Sequence, residues 1–214
     1  MAPSPTQAVT PATEPGPSRH IVTALSLLAL FAILGQEALR GRVFGWDTVV
    51  WRFLHGHEEA AHGSILDRFA NLVVEVGGNT ATLLIGLLSV VLLLGLRRRR
   101  DALFVIATGV AVLVATPLLK ELFERSELKY SFPSGNSARS AALVTAVILI
   151  AWHTRARWPT VIAGIALTAT IGVALVWEDW HLPSDVVGGW CLGILCAMAF
   201  RAGLVSAAPR PSRA

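Results

Sequence analysis

Two polar segments in an otherwise apolar chain carry the residues that could do chemistry. The first runs from Lys120 to Arg139 and contains Pro133-Ser134-Gly135-Asn136, and the second runs from Trp177 to Asp185. Pro-Ser-Gly directly before an apolar run is a helix-start signal, in which Ser134 caps the first turn. The free N–H groups of that turn, together with the helix dipole, form a binding site for an anion.

The second segment adds a nucleophile to this anion site. Pro183 suits the first turn of another apolar helix, so we expect His181 to lie just outside that helix N-terminus. Asp185 follows His181 by one helical turn, where its carboxylate accepts a hydrogen bond from one imidazole nitrogen and leaves the other free to attack. Lys120 ends the preceding apolar run and adds a positive charge. Together these groups suit a bound phosphate.

Membrane-spanning helices must position these residues. The chain has 214 residues, of which 54% are hydrophobic and 15% charged, whereas soluble domains carry about 25% charged residues. We therefore predict an all-α integral membrane bundle of about six transmembrane helices, each near the ~20 residues that cross a bilayer. The predicted spans are Ile21 to about Leu39, Asn79–Leu96, Ala102–Leu119, Ser137–Trp152, Val161–Val176 and Val186 to about Leu204.

The regions outside these spans predict a simple domain organisation. Residues 1–19 form a disordered tail, residues 20–205 form one transmembrane domain, and residues 206–214 form a basic tail. Two segments, 43–54 and 65–76, alternate apolar and charged residues at helical spacing, which predicts helices lying on the membrane. Trp46 and Trp51 suit the headgroup region. A partly buried loop is the alternative for this part of the chain.

The charge pattern predicts the orientation. If six spans alternate, Arg97–Arg100, Arg155, Arg157 and the tail arginines fall on one side, which the positive-inside rule makes cytoplasmic. Both polar segments then face the exterior of a multi-pass protein of the cell membrane. Because the basic residues flank apolar runs, we expect membrane lipids and not nucleic acid as partners, despite the net charge of +4. No cluster of Cys and His suggests a metal or another cofactor, and the oligomeric state is open.

These residues resemble the three motifs of the type 2 phosphatidic acid phosphatase (PAP2) superfamily. The motifs are Lys-x6-Arg-Pro, Pro-Ser-Gly-His and Ser-Arg-x5-His-x3-Asp. Lys120, Pro133-Ser134-Gly135, His181 and Asp185 match them in order, and the resemblance covers roughly residues 40–204. It implies that His181 attacks phosphorus without a metal, that Asp185 orients it, and that Lys120, Ser134 and Gly135 hold phosphate oxygens.

The chain departs from these motifs at three places. Glu127-Leu128 stands where the family has Arg-Pro, Asn136 replaces histidine, and Ala174-Leu175 replaces Ser-Arg. Two phosphate-binding arginines are therefore absent from their usual positions. The general acid is absent as well, because the amide of Asn136 supplies no proton at neutral pH. Arg125, Lys129 and Arg139 are near enough in sequence to replace the lost charge. We favour Arg139, since it lies one turn after Asn136 on nearly the same helix face.

The resemblance implies hydrolysis of a lipid-linked phosphate or diphosphate at the external membrane face, through a phosphohistidine. Because Asn136 cannot protonate an alkoxide, we expect a diphosphate such as a polyprenyl diphosphate, whose leaving group is a phosphate monoester. Two other classes stay open. One is a non-catalytic relative that binds a lipid phosphate or a partner protein, and the other is an intramembrane serine protease with Ser134 as nucleophile and His181 as base.

Overall fold

The described part of the chain is built from helices. The computed structural model describes residues 17–56, 64–123 and 131–206. In these ranges eight helices follow one another: α1 Pro17–Leu39, α2 Gly45–His55, α3 Ile65–Gly77, α4 Asn79–Gly95, α5 Arg99–Leu122, α6 Gly135–Ala151, α7 Arg157–Trp177 and α8 Pro183–Ser206.

The helix lengths confirm an all-helical membrane bundle. Among the described residues, four helices are long and apolar enough to cross a bilayer, namely α1, α5, α7 and α8, and a pair consisting of α3 and α4, bent by 53°, adds a fifth candidate. Helix α6 is apolar but has only 17 residues, a rise of about 26 Å, against about 30 Å for a hydrocarbon core. The six predicted spans fall on α1 and α4–α8, but the described residues give four or five spanning candidates, because α4 and α6 have 17 residues each and are too short to span alone.

Several boundaries differ from those expected from the sequence. Helix α1 begins at Pro17, inside the predicted tail, because proline suits the first turn of a helix. Helix α8 begins at Pro183, which confirms the predicted place of this proline in its first turn, three residues before the predicted span. The segments 43–54 and 65–76 are the helices α2 and α3, so the loop alternative is wrong. Residues 1–16 and 207–214, which hold most of the predicted tails, lie outside the described residues.

Close packing of α6 against α8 determines where the two polar segments meet. A Cβ atom on Gly189 of α8 would lie 2.5 Å from the carbonyl oxygen of Ser134 and 3.0 Å from the amide nitrogen of Ala138. One turn further along α8, a Cβ on Gly193 would collide with the backbone of α6. Glycine at these positions lets the two backbones touch. As a result, the N-termini of α6 and α8 lie side by side.

Basic residues gather at the opposite end of the bundle. Arg98 Nε lies 2.7 Å from Asp101 Oδ2, and Arg201 Nη1 of α8 lies 4.0 Å from Asp101 Oδ1. Arg157 stacks over the rings of Trp152 and Trp158. This end comprises the α4–α5 and α6–α7 turns and the last turns of α8. The two polar segments therefore share the end of the bundle that these arginines do not occupy.

Candidate active site

The N-terminus of α6 forms one wall of the site. Ser134 is fully buried and caps the helix, and its Oγ accepts a hydrogen bond from the backbone N–H of Ser137 at 3.4 Å. The backbone N–H of Ser134 donates to the carbonyl oxygen of Asp185, with 2.9 Å between nitrogen and oxygen. This bond joins the loop before α6 to the first turn of α8, so the two helix N-termini lie against each other.

His181 and Asp185 form the opposite wall. The Nδ1 atom of His181 lies 3.8 Å from Oδ2 of Asp185, and both residues are buried. That separation is an ion-pair distance, and a shift of less than about 1 Å would close it to a hydrogen bond. Oδ2 of Asp185 also accepts the backbone N–H of Leu182 at 3.1 Å. The carboxylate is thus held by backbone while it faces Nδ1, which leaves Nε2 as the nitrogen that can attack.

Two cations complete the site. Arg139 turns back along α6, because its Nη2 donates to Oδ1 of Asn136 and a Cβ on Gly135 would lie 3.0 Å from its Nη1. The ammonium group of Lys120, in the last turn of α5, is repelled by Arg139 and attracted by Asp185. Within the described residues, the buried Nε of Arg139 has no hydrogen-bond partner. A guanidinium with an unused donor, beside a lysine and two helix N-termini, suits a phosphoryl group.

Comparison with known proteins agrees with this geometry. The family model of the PAP2 superfamily matches residues 111–206, a stretch that contains Lys120, Ser134, His181 and Asp185. This match assigns residues 111–206 to the PAP2 superfamily. Its structure is similar to that of the first transmembrane PAP2-type phosphatidylglycerolphosphate phosphatase from Bacillus subtilis, with a TM-score of 0.70 and 18% identity, over 86% of this chain and 97% of that chain. At this identity the likeness shows the fold alone. No curated protein matches the sequence.

The structure brings together the residues that match the PAP2 motifs. Seven residues singled out from the sequence lie at one end of the bundle, on α5, α6 and the start of α8: Lys120, Ser134, Gly135, Asn136, Arg139, His181 and Asp185. The roles assigned to them stay predictions.

The positions where the chain departs from the PAP2 motifs have different surroundings. Ala174 and Leu175 are buried in an apolar cluster of α3, α7 and α8, so they take up core volume where the family places a polar pair. Arg125 and Lys129, the other candidate replacements for the lost charge, lie outside the described residues, as does Glu127-Leu128. Among the three candidates, Arg139 is thus the one whose contacts the structure describes.

The serine protease alternative finds no support in this arrangement. A nucleophilic serine must present its Oγ to substrate and to a base. The Oγ of Ser134 instead caps α6 by accepting the Ser137 N–H, and the residue has no exposed surface. His181 faces Asp185 through Nδ1.

One buried carboxylate at this end of the bundle was not expected from the sequence. Asp47 of α2 is fully buried, and its Oδ1 accepts the backbone N–H of Ser184 at 2.7 Å. Burial raises the pKa of Asp47, although the backbone N–H groups of Ser184 and Phe44 oppose this effect. In the sequence Asp47 looks like an ordinary charged residue of an amphipathic helix. The contact joins residues 137 positions apart, so local pattern carries no signal for it.

A tryptophan on the same helix contacts the second polar segment as well. The indole N–H of Trp51 donates to Oδ1 of Asp179 at 2.9 Å. From the sequence, Trp51 was assigned only to the headgroup region. Its spacing of four residues from Asp47 places both side chains on one face of α2, and this spacing is the signal that could have linked them to a common partner.

Proposed function

We propose that this PAP2 protein is a lipid phosphatase that hydrolyses a lipid-linked phosphate or diphosphate through a phosphohistidine on His181. The observation that carries the proposal is the hydrogen bond between Ser134 N–H and the Asp185 carbonyl oxygen, at 2.9 Å. It holds two helix N-termini together beside an oriented histidine. Lys120 and Arg139 add positive charge at the same place. Preorganised N–H groups and cations of this kind stabilise the charge that develops on a transferring phosphoryl group.

The reaction consists of two displacements at phosphorus. In the first, Nε2 of His181 forms a bond to the terminal phosphorus while the bond from phosphorus to the leaving oxygen breaks. The leaving group departs with the electron pair, and Asp185 stabilises the imidazolium through Nδ1. In the second, water attacks the phosphohistidine, the N–P bond breaks, and inorganic phosphate is released with His181 restored.

Asn136 makes the nature of the leaving group important. Its Oδ1 accepts a hydrogen bond from Arg139, so its amide anchors the arginine and can offer only an N–H donor to substrate. An alkoxide leaving group requires a general acid, which contributes about 10²–10⁴-fold in rate. A phosphate monoester has a second pKa near 6 and leaves without one. We therefore infer that polyprenyl diphosphates are better substrates than monoesters such as phosphatidic acid.

An apolar cavity beside Arg139 supports a substrate with a hydrocarbon chain. The cavity has a volume of about 290 Å³ and lies between α4, α5 and α6. Its walls include Leu87, Val105, Leu113 and Leu143, and Arg139 lines it as well. One side chain thus borders both the phosphate site and the apolar cavity. This suits a ligand with a phosphate head and an apolar tail.

The distribution of arginines supports a site at the external face of the cell membrane. Because arginines collect at the opposite end, the positive-inside rule assigns that end to the cytoplasm. A polyprenyl diphosphate whose headgroup lies at the outer surface can then reach His181 without leaving the bilayer.

The test is a substrate panel on purified protein in lipid nanodiscs. Release of inorganic phosphate is measured for a polyprenyl diphosphate, a polyprenyl phosphate, phosphatidic acid and phosphatidylglycerol phosphate. His181→Ala is expected to abolish turnover, whereas His153→Ala, an exposed histidine at the opposite end of the bundle, is expected to keep it. If no member of the panel is hydrolysed but the protein binds the lipids, it is a non-catalytic PAP2 relative.

A further inference from the structure

Helix α8, which follows His181, begins without a capping side chain of its own. The carbonyl oxygen of Leu182 accepts the first intrahelical bond, from Val186 N–H at 3.2 Å, so Leu182 occupies the N-cap position. An N-cap side chain normally accepts the backbone N–H two or three residues later, and leucine has no oxygen with which to do so. Asp185 fulfils the reciprocal half of a capping box by accepting the Leu182 N–H at 3.1 Å.

Asp47 supplies the missing cap from a different helix. Its Oδ1 accepts the Ser184 N–H at 2.7 Å, which is the bond that an N-cap side chain would make. Its Oδ2 accepts the backbone N–H of Phe44 at 3.1 Å, which fixes the carboxylate at the start of α2. Asp47 has no exposed surface. Helix α2 thus holds the chain three residues after His181.

Trp51 holds the same loop on the other side of His181. Its indole N–H donates to Asp179, which lies two residues before His181. Asp179 has a φ of +55°, in the left-handed region that residues other than glycine rarely adopt. This hydrogen bond fixes a residue at the strained point of the loop. Asp47 and Trp51, one turn apart, therefore bond to the loop at two points, one on each side of His181.

We propose that Asp47 and Trp51 are positioning residues for the His181–Asp185 pair, acting through Ser184 and Asp179. The proposal rests on the proposed function, in which His181 is the nucleophile. Asp47 bonds to Ser184 and Trp51 to Asp179, so both side chains act on the loop that carries His181. Loosening either contact lets His181 move relative to phosphorus, and displacements of about 1 Å from the attacking geometry cost up to about 10²-fold in rate.

Four variants and one distant control test this proposal. Asp47→Ala removes the acceptor for Ser184 N–H, whereas Asp47→Asn keeps an oxygen at that place. Trp51→Phe removes the indole N–H together with part of the ring, and Trp46→Phe makes the same change at an exposed tryptophan on the same helix. Phe104→Leu, in the buried cluster formed by α4–α6 and α8, lowers stability without touching the loop. It therefore reports what a general loss of stability does to turnover.

Kinetics and hydrogen exchange are measured on each variant. We expect Asp47→Ala to lower kcat by about 10- to 100-fold with KM changed less than about threefold. Trp51→Phe should lower kcat less, and Asp47→Asn should retain most of the activity. Exchange in the segment 178–186, which contains the Ser184 amide, should accelerate by about fivefold in Asp47→Ala, as loss of an ordinary N-cap would cause. Trp46→Phe and Phe104→Leu should leave kcat and this exchange unchanged.

The two readouts separate failure of this proposal from failure of the proposed function. If exchange in 178–186 is the same in wild type, Asp47→Ala and Trp51→Phe, the proposal is wrong, whatever the activity. If Phe104→Leu lowers kcat as much as Asp47→Ala does, the effect is one of general stability, and the proposal is also wrong. If the wild type is inactive but segment 178–186 exchanges faster in Asp47→Ala and Trp51→Phe than in wild type, the proposed function is wrong. The positioning of the loop by Asp47 and Trp51 would still hold.

Discussion

Replacing Arg139 by alanine removes the cation that lies against the first turn of α6. In the folded protein its Nη2 is engaged by Asn136, and its Nε is buried without a partner within the described residues. A phosphate oxygen bound by Arg139 would satisfy that donor. We therefore expect Arg139→Ala to remove at least one charge-assisted hydrogen bond from the phosphoryl group in the transition state.

The magnitude follows from the strength of such bonds. A charge-assisted hydrogen bond contributes about 1.5–3 kcal/mol, and about 1.4 kcal/mol corresponds to a tenfold change. One lost bond therefore predicts a fall in kcat/KM of about 10- to 150-fold. Arg139→Lys keeps the charge but not the planar fork of donors, so its loss should lie near the lower end of that range.

The assay is the initial rate of phosphate release from a polyprenyl diphosphate. Arg201→Ala is the matched control, because Arg201 is also partly buried but faces Asp101 at the opposite end of the bundle. It should change kcat/KM less than about twofold. If Arg139→Ala stays within about threefold of wild type while His181→Ala is inactive, Arg139 is not a phosphate ligand and the reasoning from its position fails.

Three further predictions concern the leaving group, the apolar cavity and the buried carboxylate. Asn136→His should raise phosphatidic acid turnover relative to polyprenyl diphosphate turnover in the same assay, because it restores a general acid; faster monoester hydrolysis by the unmodified protein would mean that another residue is the acid. Gly86→Leu and Gly109→Leu should raise KM for a long-chain diphosphate but not for a water-soluble aryl phosphate, since both glycines line the cavity and a Cβ there meets nothing within 4 Å; Gly203→Leu is equally unobstructed, lies outside the cavity lining and is the control. Burial raises the pKa of Asp47 above its ordinary 3.8, so protonated Asp47 stabilises the fold below pH 3.8 and this stabilisation is lost as pH rises through the raised pKa. The melting temperature of wild type minus that of Asp47→Asn should therefore fall over that pH interval. A constant difference would show that Asp47 does not titrate there.

Much of the fold could be predicted from the sequence because lipid imposes strong constraints. Long apolar runs bounded by arginines indicate the positions of α1 and α4–α8. Proline marks the start of α8 at Pro183, and it also explains why α1 begins at Pro17, earlier than predicted. The residues that match PAP2 motifs could be found because helix starts and phosphate chemistry share a local pattern. The position of Arg139 followed from its spacing of three residues from Asn136.

What the sequence left out depends on contacts between distant segments. Asp47 and Ser184 are far apart in the chain, and only the packing of α2 on the start of α8 brings them to 2.7 Å. The same holds for Trp51 and Asp179. A helix with alternating apolar and charged residues looks the same whether its carboxylate faces water or a buried N–H group. The amphipathic pattern therefore predicted the helix and not its contact with the second polar segment.

The central claim is that His181 carries the phosphoryl group, and trapping that intermediate tests it most directly. Purified protein is mixed with polyprenyl diphosphate labelled with ³²P in the terminal phosphate, and the reaction is stopped with alkali within milliseconds. The account predicts a labelled protein that is stable to alkali, labile to acid, absent in His181→Asn and mapped to the peptide that contains His181. Phosphate release by the wild type without such label, or equal label in His181→Asn, would contradict it.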